Sequence, residues 1–469
     1  MVWLTSAPGR ASAQPGTWAA REIAQPLGAL LAKVPARTQI GLFVANAADG
    51  ECWFAHQAQR PLKPASVLKL FVTAAALERF GPGFRYETRL YVQGEELWVL
   101  GAGDPSLGDE RLARRDGRPL SFPFDEWAAA LRARDVRTLE RIVLDDSVFD
   151  QQWRHPDWPR DQATSWYQAP IGGLNFNDNC LDARVELHGT TVQLTLRPDL
   201  PPSFFENSLR VGKSHRPLVR RAEERDTFEF LGTVTRVTEL GPIAAARPTV
   251  FFGYALRQAL AARGITVHGE VVRRTIAPAA CANAALVATH TTPLADVLWR
   301  CNTFSQNLFA ECLLKSLAAY APDGSRTGTE GSWERGLAQL RATLGDLGVD
   351  LSDAVLRDGS GLSHENRVNA EQIVQLLVRM YGHRHRAAFL DSLAVPGQEG
   401  SMRQRFADAG LAGRLRGKTG TLNGVRSLAG YVTRPDGVTL AFALLGNGEC
   451  DAELPVRVAR ILAGLPAGP

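Results

Sequence analysis

Apolar residues along this chain come in short runs broken by glycine, proline and charge, and the runs change period from segment to segment. Between Trp18 and Leu31 they recur at nearly helical spacing, which predicts a first helix kinked at Pro26. Residues 40–45 and 52–55 flank Ala48-Asp49-Gly50, the pattern of two strands joined by a turn. Residues 67–77 are apolar almost all round and stop near Gly81 and Pro82, so they predict a helix buried on every side. Near the C-terminus, 308–317 predicts a helix and 456–465 an amphipathic closing helix. Runs at 428–433 and 438–445 flank Arg434-Pro435-Asp436-Gly437, a hairpin signal, with Lys418 on the strand before it.

The middle of the chain reads differently. Residues 90–100 and 141–144 look like strands, and 191–196 alternates with Val192, Leu194 and Leu196 on one face. Residues 251–262 predict a helix leading into a strand at 267–273. Helix and strand candidates are mixed in both halves of the chain, and the fold class expected for it is α+β. A length of 469 residues exceeds one ordinary core and predicts two or three domains.

With 45% hydrophobic and 22% charged residues the composition is that of a soluble globular protein. A net charge of +4 is small for this length and argues against nucleic acid as the main partner. The densest basic stretch is Arg210, Lys213, Arg216, Arg220, Arg221 and Arg225, tempered by Glu223 and Glu224. It suits either an anionic polymer surface or a plain solvated face. No apolar run approaches the roughly 18 residues of a membrane span. Residues 1–13 lack a basic start and a long apolar stretch, yet Ala11-Ser12-Ala13 before Gln14 resembles the end of a cleaved secretion signal, so an exported chain is expected. The six cysteines are scattered without a Cys-x-x-Cys pair and are expected mostly as buried thiols, and the histidines show no metal spacing.

The chemistry lies in three short motifs, each present once: Ser66-Val67-Leu68-Lys69, Ser305-Gln306-Asn307 and Lys418-Thr419-Gly420. Their joint presence in this order, among twenty serines and six lysines, points to a serine acyl-transfer enzyme. The chain uses arginine almost everywhere it needs a cation, so two lysines inside the motifs carry weight. Arginine stays protonated, whereas lysine loses its proton when buried or placed beside another cation. Residues three apart on a helix share a face, which puts Lys69 one turn from Ser66. Ser66 at a helix start is also near free N–H groups and the positive dipole end. Two other patterns fail as sites. The glycines of 101–108 do not complete a dinucleotide loop because Ser106 stands where the last glycine belongs, and Asp358-Gly359-Ser360-Gly361 is no nucleophile elbow but a turn beside the site.

Ser66 and Ser305 stand 239 residues apart, so folded material interrupts the catalytic domain. This arrangement resembles the low-molecular-mass class C penicillin-binding proteins, the D-alanyl-D-alanine carboxypeptidase/endopeptidase family. Beyond the three motifs, the resemblance rests on Gly101-Ala102-Gly103-Asp104-Pro105, Asp145-Asp146-Ser147-Val148-Phe149, Tyr167-Gln168-Ala169-Pro170 with Asn175, and 358–363. It implies a penicillin-recognising (β-lactamase/transpeptidase-like) domain at 15–85 and 288–469. The insertion then forms two smaller β-rich domains, one at 86–182 and 246–287, the other at 183–245. It further implies Ser66 as nucleophile, Lys69 as its base, Ser305 as proton relay to the leaving amine, and Asn307 holding Lys69 and the substrate amide. Lys418, Thr419 and Thr421 would receive the substrate carboxylate, Gly420 would line the substrate site beside them, and the N–H groups of Ser66 and Thr421 would form the oxyanion hole. The implied partners are peptidoglycan stem peptides and β-lactam antibiotics, in the periplasm or another exported location, with no cofactor or metal. A serine β-lactamase and a non-catalytic peptidoglycan-binding protein of the same fold are the alternatives. Asp145 or Asp146 either helps select the third residue of the stem peptide or closes a turn after 141–144.

Overall fold

The computed structural model describes residues 18–221, 226–407 and 410–467. The signal-like residues 11–13, and Glu223, Glu224 and Arg225 of the basic stretch, lie outside the described residues. The fold is α+β, and the chain divides into two compact units.

The first unit comprises Met1–Glu78, Leu298–Ser305 and Leu337–Pro469. Its antiparallel sheet runs in the order Leu415–Leu422, Val425–Thr433, Thr439–Asn447, Gln39–Asn46, Cys52–His56. The two ends of the chain therefore meet in one sheet, with Gln39 opposite Asn447 and Asn46 opposite Leu440. Thr439–Asn447 is buried at every interior position, which is why 438–445 reads as a continuous apolar run rather than an alternation. Helices Trp18–Leu31 and Leu454–Leu462 pack into this core through Ile23, Leu27, Val458 and Leu462, against Leu42, Val44, Phe442 and Leu444. The helix expected at 67–77 starts as a single 3-10 turn, Ala65–Leu68, and continues as Lys69–Phe80. Every residue from Val67 to Leu77 is at most 2% exposed, polar Lys69 and Thr73 included, so the all-round apolar pattern reports a helix enclosed on all sides.

The second unit comprises Arg79–Val297 and Gln306–Gly336. Its five-stranded sheet has the order Val271–Arg273, Arg141–Asp145, Glu96–Leu100, Arg85–Gln93, Ala285–Pro293. Helices Phe122–Arg132 and Pro248–Ala261 contribute Phe124, Trp127 and Phe252 to a core shared with Leu90, Ile142 and Phe176. Two expectations need correction here. The strand-like stretch 90–100 is a hairpin that turns at Gly94, where φ is +58°. The stretch 267–273 is broken into Thr266–Val267 and Val271–Arg273, because Gly269 lies so near the Glu140 carbonyl that a Cβ would sit 2.4 Å from it. The unit also holds a two-stranded sheet, Thr266–Val267 with Thr138–Leu139, and two three-stranded sheets: Arg216–Arg221, Phe228–Val234, Phe205–Val211, and Thr238–Ala244, Cys180–His188, Thr191–Arg197. None of the six cysteines is joined in a disulfide; Cys180, Cys301 and Cys312 are buried and the other three half-buried.

Candidate active site

Ser66 sits in the 3-10 turn Ala65–Leu68, directly after Ala65, whose φ of +50° lies in the left-handed region that non-glycine residues rarely enter. Such strain persists only where the surroundings hold it. Here two glycines do so. A Cβ on Gly361 would lie 1.9 Å from the Ala65 carbonyl oxygen, and one on Gly420 would lie 2.7 Å from that of Pro64. The turn thus presents the half-buried Ser66 hydroxyl while its first N–H groups lack helical acceptors.

One turn on, Lys69 is fully buried. Its Nζ donates to Ser66 Oγ at 3.0 Å and to the Ser360 carbonyl at 2.7 Å. The second bond aims the amine at the serine. Asp358 shapes the loop that supplies this carbonyl, accepting from the backbone N–H of Gly361 at 2.9 Å and of Ser363 at 2.7 Å, and from Asn366 Nδ2 at 2.9 Å. Sequence reading placed 358–361 beside the site but missed Ser360 as a partner of Lys69. A backbone carbonyl leaves no residue-type signature.

A second lysine–serine pair repeats the arrangement. Ser305 follows helix Leu294–Thr303 with φ of +63°, and its Oγ accepts from Lys418 Nζ at 2.8 Å. Lys418 also donates to the Thr419 carbonyl at 2.8 Å and is fully buried. Burial, and after it the charge of Lys69, hold the Lys418 amine well below the ordinary lysine value of 10.5. Both causes favour the neutral form of the Lys418 amine.

Lys418 lies on Leu415–Leu422, the edge strand of the first unit's sheet. Gly417 exchanges two bonds of 3.0 Å with Ala394 on the side away from Val425–Thr433. Hydrogen-bonding direction alternates along a strand, so Thr419 and Thr421 turn their N–H groups to the same outer edge. Thr419 is nearly buried and Thr421 exposed. Of the expected residues, the first unit brings together Ser66 with Lys69 and Ser305 with Lys418, and sets Gly420 against Pro64. Asn307 starts helix Asn307–Ala319 in the second unit and donates from Nδ2 to the Tyr167 carbonyl at 2.8 Å.

Asp145 and Asp146 are both engaged locally. Asp145 accepts from the N–H of Ser147 at 3.0 Å and of Ile276 at 2.8 Å. Asp146 accepts from Arg273 Nε at 2.6 Å and from the Thr249 hydroxyl. Burial foremost pushes the Asp146 carboxyl above its usual range, opposed by Thr249 and Arg273. These contacts favour the turn-closing reading over substrate selection.

Residues 23–465 match the model of the D-Ala-D-Ala carboxypeptidase 3 (S13) family. A D-alanyl-D-alanine carboxypeptidase from an Actinomadura species is 30% identical over 443 residues, 87% of this chain and 78% of its own. The crystal structure of penicillin binding protein 4 from Haemophilus influenzae has a TM-score of 0.74 at 23% identity, covering 91% of this chain and 94% of that one. The same protein complexed with a novel β-lactam gives a TM-score of 0.69 at 22% identity, with the same coverage.

Proposed function

The chain belongs to the D-Ala-D-Ala carboxypeptidase 3 (S13) family, and from that premise we propose that it cleaves the terminal D-Ala–D-Ala bond of peptidoglycan stem peptides through an acyl-enzyme on Ser66. It is a serine-type D-alanyl-D-alanine carboxypeptidase. The observation that carries the mechanism is the pair of buried lysines, each bonded to a serine hydroxyl.

Ser66 Oγ attacks the penultimate D-Ala carbonyl as its proton passes to neutral Lys69 Nζ. The oxygen of the tetrahedral intermediate receives hydrogen bonds from the N–H groups of Ser66 and Thr421, which are preorganised and need no rearrangement. The C–N bond then breaks. The departing D-alanine amine takes its proton through Ser305, whose hydroxyl Lys418 holds. Water hydrolyses the ester with Lys69 again as base, returning the Ser66 proton. Asn307 hydrogen-bonds the substrate's amide. Lys418, Thr419 and Thr421 receive the terminal carboxylate, with Gly420 lining the substrate site between them, which favours release of a C-terminal residue; cutting D-Ala cross-links as an endopeptidase uses the same steps.

β-Lactams acylate Ser66 in the same way, and the substrate places the working enzyme in the periplasm or another exported compartment. We further propose that 15–85 and 288–469 form the catalytic domain. The insertion then divides into 86–182 with 246–287, and 183–245. The strand composition supports setting 183–245 apart: the five-stranded sheet of the second unit draws on none of the strands between Cys180 and Ala244.

Release of D-alanine from an acylated tripeptide ending in D-Ala-D-Ala tests the reading. The wild type should release it and Ser66→Ala should not. Equal release by both would overturn the assignment.

A further inference from the structure

The basic stretch singled out in the sequence does not behave as one surface. Arg221 turns inward and donates to the carbonyls of Ala244 at 2.7 Å and Ala163 at 3.1 Å. Arg220 faces Glu229 across the strand pair, and Glu206 lies beside Glu229, at the end of the small sheet where Arg221 pairs with Phe228. The opposite end is built otherwise. There the segment 212–215 crosses from Phe205–Val211 to Arg216–Arg221 over the end of Phe228–Val234. Gly212 N–H donates to the Val234 carbonyl at 3.1 Å, Thr233 Oγ1 to the Ser214 carbonyl at 2.7 Å, and Thr235 N–H to His215 Nδ1 at 3.3 Å.

This tightly bonded end carries Arg210, Lys213, Arg216 and Arg236, all exposed. Among the described residues, none of these four side chains has an ion pair or a hydrogen bond. The nearest acid along the chain, Glu239, is bonded to Arg184 at 2.7 Å. Exposed apolar side chains sit among the cations: Val211 is 38% exposed and Val237 51%, with Leu218 at 46% two residues along the strand from Arg216. Half of the large apolar side chains that stand exposed among the described residues are these three.

We propose that this end of the sheet docks reversibly on an anionic lipid bilayer surface. A hydrophilic polyanion would satisfy the guanidinium and ammonium groups but leave Val211, Val237 and Leu218 in water. A bilayer interface takes both, with cations at the headgroups and short apolar side chains at the acyl boundary. Each cation contributes about five-fold in partitioning near an anionic surface, and salt weakens the effect over a Debye length of about 10 Å. No helix among the described residues is long and apolar enough to cross a membrane, so this is adsorption onto the surface rather than insertion of a span. The inference is independent of the catalytic assignment.

Co-sedimentation of the full chain with vesicles tests it, using phosphatidylcholine alone and equal parts phosphatidylcholine and phosphatidylglycerol. The protein should pellet with the mixed vesicles only, and less at high salt. Lys213→Ala with Arg216→Ala should cut partitioning by roughly 25-fold, at about five-fold per cation. Val237→Ser should weaken it without changing the salt slope in the same proportion. D-Alanine release from a soluble peptide should be unchanged in every variant, which shows that each is folded. Equal partitioning of wild type and the double variant, or no binding to mixed vesicles, would overturn the proposal. Binding to isolated peptidoglycan sacculi but not to vesicles would also overturn it and assign the surface to a wall polymer.

Discussion

Replacing Lys69 by methionine removes the amine from the centre of the proposed mechanism while keeping nearly the same volume. The site is fully buried, so a methionine fills it without a cavity, whereas arginine would overpack it. The bonds to Ser66 Oγ at 3.0 Å and to the Ser360 carbonyl at 2.7 Å are lost. Leaving that carbonyl unpaired costs about 1–3 kcal/mol of stability, which a folded domain of this size tolerates. The catalytic loss is larger. A positioned base contributes about 10²–10⁴-fold, or roughly 2.7–5.5 kcal/mol of barrier at 1.36 kcal/mol per tenfold. The assay is the second-order rate of acylation by benzylpenicillin, followed by stopped flow across pH. In the wild type the rate should fall on acidification, as the lysine pair takes up its second proton. In Lys69→Met both the rate and that acid limb should be lost. A variant that acylates within tenfold of the wild type, with the limb intact, would refute Lys69 as the base.

Three further outcomes follow from the same geometry. Because the Lys418 amine titrates below 10.5 when folded, the unfolded chain holds a proton that the folded chain lacks in the window between the two values, so stability should rise with pH there. Thermal melts of the wild type should show that rise, and Lys418→Met should flatten it. Gly361→Ala puts a methyl 1.9 Å from the Ala65 carbonyl at φ of +81°, so D-alanine release should drop by about 10²-fold, the scale of a misplaced reacting group; a rate within twofold of wild type would show that the turn does not need this contact. Asp146→Ala removes a buried carboxylate that accepts from the Thr249 hydroxyl and from the solvent-exposed Arg273, so unfolding free energy should fall by about 1–3 kcal/mol while release kinetics stay unchanged. Lost release at unchanged stability would instead make Asp146 a substrate contact.

Much of the site was legible because the chemistry depends on side-chain type. Lysine where arginine is the habit, at a one-turn spacing from serine, points to Ser66 and Lys69 without any coordinates. The enclosed helix and the central strand Thr439–Asn447 were legible because burial on all sides leaves unbroken apolar runs. What escaped falls into two kinds. Phe205–Val211 buries only Leu209 fully, so no alternation marks it as a strand. Ala370–Tyr381 and Phe122–Arg132 are amphipathic helices whose apolar positions are diluted by polar ones, a weaker signal than a run. The Ser360 carbonyl and the strained φ of Ala65 and Ser305 are backbone features, and only the neighbouring glycines hint at them.

The whole mechanism turns on a covalent intermediate at Ser66, and intact mass over time after adding benzylpenicillin detects it. The wild type should gain one penicillin mass that persists for many minutes, and Ser66→Ala should gain none. An adduct that forms equally in Ser66→Ala would contradict the claim outright. One that vanishes as the drug is consumed would mark the chain as a β-lactamase instead.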